Sequence, residues 1–235
     1  MNDMFSRTQD LYDAVYSWKD YPREARVLRE VIAREGISEG ASFLDIACGT
    51  GAHIPHLRFA YEIEGLDLDP GMLGVAREKN PGIAFHQGDM TNFDLGRKFD
   101  IVACLFSSVA YTRTPDRLAA AVARMAAHLK PSGVLFIEPF IAPDKWKGYE
   151  PNGQYVDHRI KICRMVHSER TGNEVALSFH YLVSRPEGIE YLTERHDIGL
   201  FANSDYQAAF AAAGLIATHD DEGLMRRGAY IARWQ

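Results

Sequence analysis

The sequence is poor in several things, and each shortage removes a class of function. Among 235 residues there are three cysteines, Cys48, Cys104 and Cys163, odd in number and widely scattered. That argues against a disulfide framework and for a reducing compartment. Their spacing matches no metal-binding motif. His53 and His56 are near neighbours, but nothing completes a ligand set, so no metal is expected. No stretch approaches the ~18 uninterrupted apolar residues of a membrane span. No basic segment followed by an apolar run opens the chain as a secretory signal does. A cytoplasmic location without a membrane partner is therefore expected. Positive charge is not in excess: the formal net charge is −6, whereas a nucleic-acid binder needs a basic face. No internal repeat or low-complexity tract is visible.

What is present is organised around residues 43–51, FLDIACGTG. An apolar run that breaks into glycines reads as a buried strand ending in a tight turn. Residues 52–60 can start a helix whose first N–H groups face a ligand. Gly49 and Gly51 let the backbone approach that ligand closely. The dinucleotide fingerprint G-x-G-x-x-G is incomplete, because Ile54 stands where the third glycine belongs. Cys48 reads as a small filler in the turn rather than a nucleophile.

Residues 62–66 read as the next strand, closed by Asp67. An acidic residue about 20 positions beyond a glycine turn can accept hydrogen bonds from two ribose hydroxyls. The competing reading of Asp67 is a cap for the helix after Pro70. Residues 83–86 give a short third strand before Gly88-Asp89-Met90, where Asp89 also reads as a turn residue. Residues 99–106, FDIVACLF, suit a central parallel strand buried on both faces. The loop that follows, 107–111, should line a site beyond the carboxyl ends of the strands. An alanine-rich helix over 118–129, a turn at 131–133 and a fifth strand over 134–137 come next, ending in Glu138-Pro139.

Residues 7–35 read as two helices. The first carries Leu11, Tyr12, Val15 and Tyr16, then Trp18, Lys19 and Tyr21; it is either an ordinary core helix or a lid. Residues 155–167, 175–184 and 189–200 read as three strands joined by hairpin turns at 171–173 and 186–188. A helix through Ala213 and two last strands, 215–218 and 229–233, complete the chain. The expectation is one α/β domain over 1–235. It has a Rossmann-like sheet with helices on both faces, a helical lid over 1–36, and an antiparallel insertion after the fifth strand, at about 153–200.

Residues 45–51, DIACGTG, resemble the first motif of the class I S-adenosylmethionine-dependent methyltransferases. The resemblance implies S-adenosylmethionine as cofactor. Ala47, Gly49 and Gly51 would lie under its methionine part, Asp67 and Leu68 at its ribose and adenosine, and Asp89 and the Met90 N–H at its adenine. Tyr16, Lys19 and Phe106 would also contact it. Over nearly the whole chain the sequence resembles the bacterial N,N-dimethyltransferases of nucleotide-linked amino sugars. The shared stretches are Tyr12-Asp13, Lys19-Asp20-Tyr21, Gln87-Gly88-Asp89-Met90, Phe106-Ser107-Ser108, His128-Leu129, Glu138-Pro139, Leu200-Phe201 and Arg227-Gly228. This implies a small-molecule acceptor with Tyr12, Glu138 and Arg227 around it, and a homodimer is compatible with it. Arg227 would approach a nucleotide phosphate; together with Arg226 it also reads as a solvated charge pair. One departure stands out: the sugar enzymes tend to carry a histidine where this chain has Tyr111.

The chemistry expected of such a site is modest. A methyl group on a sulfonium is already activated, and positioning can contribute up to about 7–11 kcal/mol. If about one amine molecule in ten is neutral, the protonated remainder costs about 1.4 kcal/mol, or tenfold in rate. An amine acceptor therefore needs no strong base. A hydroxylated acceptor wants one. Tyr111 is poor in that role, with a reference pKa of about 10. His180 is the better candidate on a predicted insertion strand, although it also reads as a half-buried sheet residue. N-methylation leads, and O-methylation using His180 is the alternative. A non-catalytic cofactor-binding protein is disfavoured, because cofactor motifs and candidate acceptor residues occur together.

Overall fold

The computed structural model describes residues 9–148, 153–156 and 160–235; the first residues of the expected lid lie outside these. Helix α1 (Gln9–Val15) is followed by α2 (Tyr21–Arg34). The Asp20 carboxylate caps α2 by accepting from the Arg23 N–H at 3.0 Å. Pro22 sits in its first turn, where a missing N–H costs nothing. Ala25, Leu28, Val31 and Ile32 form its buried face.

Strand β1 (Ser42–Ile46) runs into the glycine turn. The helix expected over 52–60 is absent, and one 3-10 turn, Ile54–His56, takes its place. The crossover must travel back along a five-residue strand, roughly 16 Å. Nine residues of α-helix rise only about 13.5 Å, so a looser path covers the distance. Ile54 and Leu57, both fully buried, pin that path to the sheet. Next come β2 (Glu62–Asp67), α3 (Pro70–Lys79), β3 (Ala84–Gln87), β4 (Phe99–Cys104) and α4 (Pro115–Ala127). The cap of α3 is Asp69, which accepts from the Gly71 and Met72 N–H groups at 2.8 and 3.0 Å. The capping role weighed for Asp67 therefore belongs to its neighbour. Strand β5 (Leu129–Ile137) begins before the turn expected at 131–133. Those residues form an irregularity within the strand, where the pairing with β4 shifts register.

The chain then leaves the sheet for β6 (Gly153–Val156), β7 (Lys161–Thr171), β8 (Glu174–Arg185) and β9 (Gly188–Gly199). It returns through α5 (Asn203–Ala212), β10 (Leu215–Asp220) and β11 (Ala229–Trp234). The main sheet has the order β10-β11-β5-β4-β1-β2-β3, parallel except that β11 is antiparallel to both neighbours. Alternation along β4 sends Val102 and Cys104 to a core with α4 and α5, and Ile101 and Ala103 to a core with α2. Helices thus cover both faces.

The insertion is a separate antiparallel sheet, β6-β7-β8-β9. It has four strands where the sequence suggested three, because the stretch read as 155–167 divides into β6 and β7. Its inward face, including Leu177, Phe179 and Ile198, makes a third core with Leu11 of α1 and Ala110 of the loop after β4. No helix among the described residues is long and apolar enough to cross a membrane.

The insertion is pinned to the main domain where β9 ends. A Cβ on Gly199 would stand 2.5 Å from the Arg113 carbonyl oxygen, backbone that cannot swing aside. Gly199→Ala should therefore lower stability by about 1–3 kcal/mol, the range for overpacking. Each kcal/mol corresponds to about 2–4 °C in Tm at this chain length. An unchanged melting curve would mean that the insertion is not fixed there.

Candidate active site

A cavity of about 840 Å³ opens beyond the carboxyl ends of β1 and β4. There the strand order reverses, the usual ligand position in open α/β sheets. The volume lies within the range of small-molecule sites. The main sheet forms its floor, and α1 and the inward face of the insertion contribute its other walls.

At one end is the glycine turn. Ala47 and Gly49 both have positive φ, 56° and 55°. A Cβ built on Gly49 would meet nothing within 4 Å, so the turn leaves an open cradle in the cavity wall. Asp67, at the end of β2, holds that turn: its Oδ2 accepts from the Gly49 N–H at 2.8 Å and its Oδ1 from the Asp69 N–H at 2.9 Å. Burial raises its carboxyl pKa despite these bonds. Leu68 forms an exposed rim beside it. Asp89 and Met90 line the same end. Partial burial works against ionisation of Asp89. The Thr91 N–H and hydroxyl, both at 2.8 Å, and the Arg117 guanidinium at 3.1 Å outweigh it and hold the carboxyl below its ordinary range. Burial pushes the Cys48 thiol well up, which suits a filler.

Another part of the wall is aromatic. Tyr12 of α1 and Tyr16 just after it stack obliquely, 4.6 Å apart, and Phe106 meets Tyr16 edge-on at 5.2 Å. Phe106 and Ser107 both adopt left-handed backbone, φ 53° and 61°. The Ser107 hydroxyl donates to the Pro139 carbonyl at 2.7 Å. Arg227 lines the cavity over the Phe140 ring, while Arg226 is exposed. The two arginines are therefore not a solvated pair.

Three residues expected at the site lie outside the cavity lining. Lys19 is buried and its ammonium is committed to Glu24, which also meets His53 Nε2 at 2.9 Å. Gly51 has φ 69° and packs against Asn80, whose amide donates to its carbonyl at 3.3 Å; it shapes the turn from behind. Glu138 is fully buried beneath the floor. Its Oε2 accepts from the Phe106 N–H at 2.7 Å, and its Oε1 has no hydrogen-bond partner among the described residues.

His180 is a fourth correction. Side chains alternate along a strand, and the cavity receives Leu177, Phe179 and Tyr181 from β8. His180 has the opposite parity, and its Nδ1 hydrogen-bonds the Tyr191 hydroxyl at 2.5 Å on the outer face. The imidazole inside the cavity is His196 of β9. Its Nδ1 lies 2.7 Å from the Tyr111 hydroxyl, and its Nε2 3.5 Å from Glu194 Oε2. Alternation of Leu192, Glu194, His196 and Ile198 could have exposed this, had the inward parity of β9 been known.

Glu138 also makes a measurable pH signature. Burial raises its pKa to about 7, against the Phe106 N–H and the Lys19 charge that favour ionisation. A carboxyl raised in the folded state binds its proton more tightly there than in the unfolded chain. Its contribution to stability thus falls as pH rises from the ordinary 4.5 to about 7, then levels off. Glu138→Gln retains an acceptor for Phe106 and cannot titrate. In ligand-free melts the variant should gain several degrees relative to the parent between pH 5 and pH 8; a constant difference would mean that Glu138 titrates normally.

Comparison with known proteins agrees with this layout. A family model described as a methyltransferase domain matches residues 43–133. The chain is 40% identical over 233 residues to the dTDP-3-amino-3,6-dideoxy-alpha-D-glucopyranose N,N-dimethyltransferase of Streptomyces fradiae, covering 97% of this chain and 91% of that one. Among solved structures it is similar to Streptomyces venezuelae DesVI, with TM-score 0.90, 37% identity, and coverage of 96% and 98% of the two chains. It is also similar to S-adenosylmethionine-bound CalS10, an amino pentose methyltransferase from Micromonospora echinaspora involved in calicheamicin biosynthesis. There the TM-score is 0.86, the identity 35%, and the coverage 96% and 97%. With this strand order, this glycine turn and relatives this similar over nearly its whole length, the chain belongs to the class I S-adenosylmethionine-dependent methyltransferases.

Proposed function

We propose that this enzyme methylates the amine nitrogen of a nucleotide-linked amino sugar. The observation that carries the reading is one continuous cavity lined by Asp67, Asp89 and Arg227 together. The curated relative from Streptomyces fradiae is named for a dTDP-amino sugar, a substrate whose phosphates a cavity-lining guanidinium such as Arg227 would suit. The residues present fit the cofactor: the cradle at Gly49 is open and faces the cavity, and the Asp67 carboxylate is fixed beside it.

When bound, S-adenosylmethionine supplies a methyl group already activated on a sulfonium. Ala47 and Gly49 would support its methionine part, Asp67 its ribose hydroxyls, and Asp89 with the Met90 N–H its adenine. Tyr16 and Phe106 would close over the reacting centre and exclude water. Tyr12 and Tyr111 would orient the amine. Arg227 would hold the phosphates of the acceptor, for which a guanidinium offers paired donors. The α1 segment would act as the closing lid, tied down where Asp13 accepts from Thr50 and Lys79 at 2.8 and 2.7 Å.

The test is direct. Purified enzyme with S-adenosylmethionine and a dTDP-linked amino sugar should yield S-adenosylhomocysteine and a mono- or dimethylated product by mass spectrometry. Turnover only with hydroxylated, amine-free acceptors would overturn the reading. Asp67→Ala should weaken cofactor binding by about 1–3 kcal/mol in calorimetry, the cost of polar partners left unmade. Arg227→Ala should raise KM for the nucleotide sugar, by an amount corresponding to about 1.5–3 kcal/mol for a hydrogen bond to a charged group. Cofactor affinity should be unchanged in that variant, and equal KM values would remove Arg227 from the phosphate role.

A further inference from the structure

Behind Tyr111, three more side chains in the cavity wall continue a hydrogen-bonded line that the methyl-transfer chemistry above does not use. The Tyr111 hydroxyl lies 2.7 Å from His196 Nδ1. His196 Nε2 lies 3.5 Å from Glu194 Oε2, and the Tyr181 hydroxyl donates to the same oxygen at 3.1 Å. All four line the cavity. The imidazole is 4% exposed and its ring stands edge-on to Phe179 at 4.8 Å. Glu194 Oε1 is buried with no hydrogen-bond partner among the described residues.

We infer that Tyr111 and His196 form a proton relay that receives a proton from the acceptor's ammonium group, with Glu194 as the positioning residue behind it. This rests on the amine acceptor proposed above. A carboxylate only accepts hydrogen bonds. Facing Glu194, Nε2 therefore carries the hydrogen, and Nδ1 is left with its lone pair toward the Tyr111 O–H. The tautomer of a histidine is set by the bond that its other nitrogen makes. The phenol oxygen then presents its own lone pairs to a donor in the cavity, and a cationic amine is such a donor.

The step balances without any further reactant. One N–H bond of the ammonium breaks as an O–H bond forms on Tyr111. The original Tyr111 proton moves to His196 Nδ1, and the amine keeps the electron pair that will attack carbon. The site then holds a neutral amine and an imidazolium, whose charge faces Glu194. The imidazolium later returns its proton to water. Tyr111 alone could not do this, since neutral pH lies far below the phenol's reference pKa of about 10 and leaves almost no phenolate to act as base; in the relay the phenol never stays charged. The amine becomes cationic again after each methyl transfer, so a second transfer to the same nitrogen needs the same deprotonation.

The groups around the imidazole come from every neighbouring element. They are Tyr111 after β4, Tyr181 from β8 and Glu194 on its own strand, with Asp197 beside it. Arg164 of β7 lies over the Phe179 ring at 5.7 Å, and Tyr12 of α1 and Tyr16 just after it face Tyr111 and Tyr181 respectively. Arg164 is a cation among them, Glu194 and Asp197 are anions, and Asp197 is itself paired with Arg195 of β9 at 3.0 Å.

The experiment compares single-turnover rates of the parent, His196→Asn and Tyr111→Phe with a dTDP-linked amino sugar from pH 6 to pH 9. Without the relay the enzyme must draw on the neutral fraction of the amine. Both variants should then be about tenfold slower near pH 7, the cost of a one-in-ten neutral fraction. The deficit should vanish near pH 9. Both should also release monomethylated product that the parent carries through to dimethylation. Cofactor affinity should stay within twofold of the parent. Tyr111→Phe preserves ring volume and decides the matter if His196→Asn does not fold. A rate loss of equal size at every pH, or no loss in either variant, overturns the relay. No turnover of the amine by the parent itself would instead overturn the substrate proposal, so the two failures are distinguishable.

Discussion

Two carboxylates, the part-buried Asp67 and the fully buried Glu138, grip the turns at the ends of their neighbouring strands and fix the cavity floor. Asp67 ends β2 and accepts from Gly49 in the turn after β1. Glu138 follows β5 and accepts from Phe106 in the turn after β4. Each turn contains left-handed residues, Ala47 and Gly49 in one, Phe106 and Ser107 in the other. For a residue with a Cβ, that conformation is costly and persists only where surroundings over-determine it. Backbone bonds reinforce each grip: Cys48 donates to the Leu66 carbonyl at 3.1 Å, and Glu138 to the Cys104 carbonyl at 2.9 Å. The same device used twice, on either side of β1 and β4, fixes the floor on which the rest of the site stands.

How much of this could be read beforehand depends on the range of the interaction. The sheet was legible, because apolar runs such as residues 99–106 need no partner to be recognised. Asp67 was placed correctly at a strand end, yet its competing capping role could be dismissed only when Asp69 was seen holding the Gly71 and Met72 N–H groups. Lys19 looked like a cofactor contact by its neighbours in sequence. Nothing local revealed that Glu24, on the following helix, would take its charge. The 3-10 crossover after the glycine turn reflects distance across the sheet, which a residue string does not carry. His180 and His196 were separable only by strand parity, and one residue of register exchanges the two faces of a sheet.

The insertion sheet turns a cofactor-binding fold into an enclosed site. Its strands alternate, and the buried stretch of the inward parity is apolar or aromatic around a polar patch that includes Arg164, Glu194 and His196. A polar group on a buried face is expensive unless it is paired. Here Glu194 receives Tyr181, and His196 meets Tyr111, so the wall stays polar at one patch and apolar around it.

The three hydrophobic cores are distinct. Two flank the main sheet, and the third joins the insertion to α1 and the loop after β4. Each can therefore accumulate changes with little effect on the packing of the others, as independent sites do. Acceptor choice and cofactor capture are in this sense separately heritable. A lineage could rewrite the inner face of β7 to β9, and with it the molecule to be methylated, while the two turns and the carboxylates that hold them passed down unaltered.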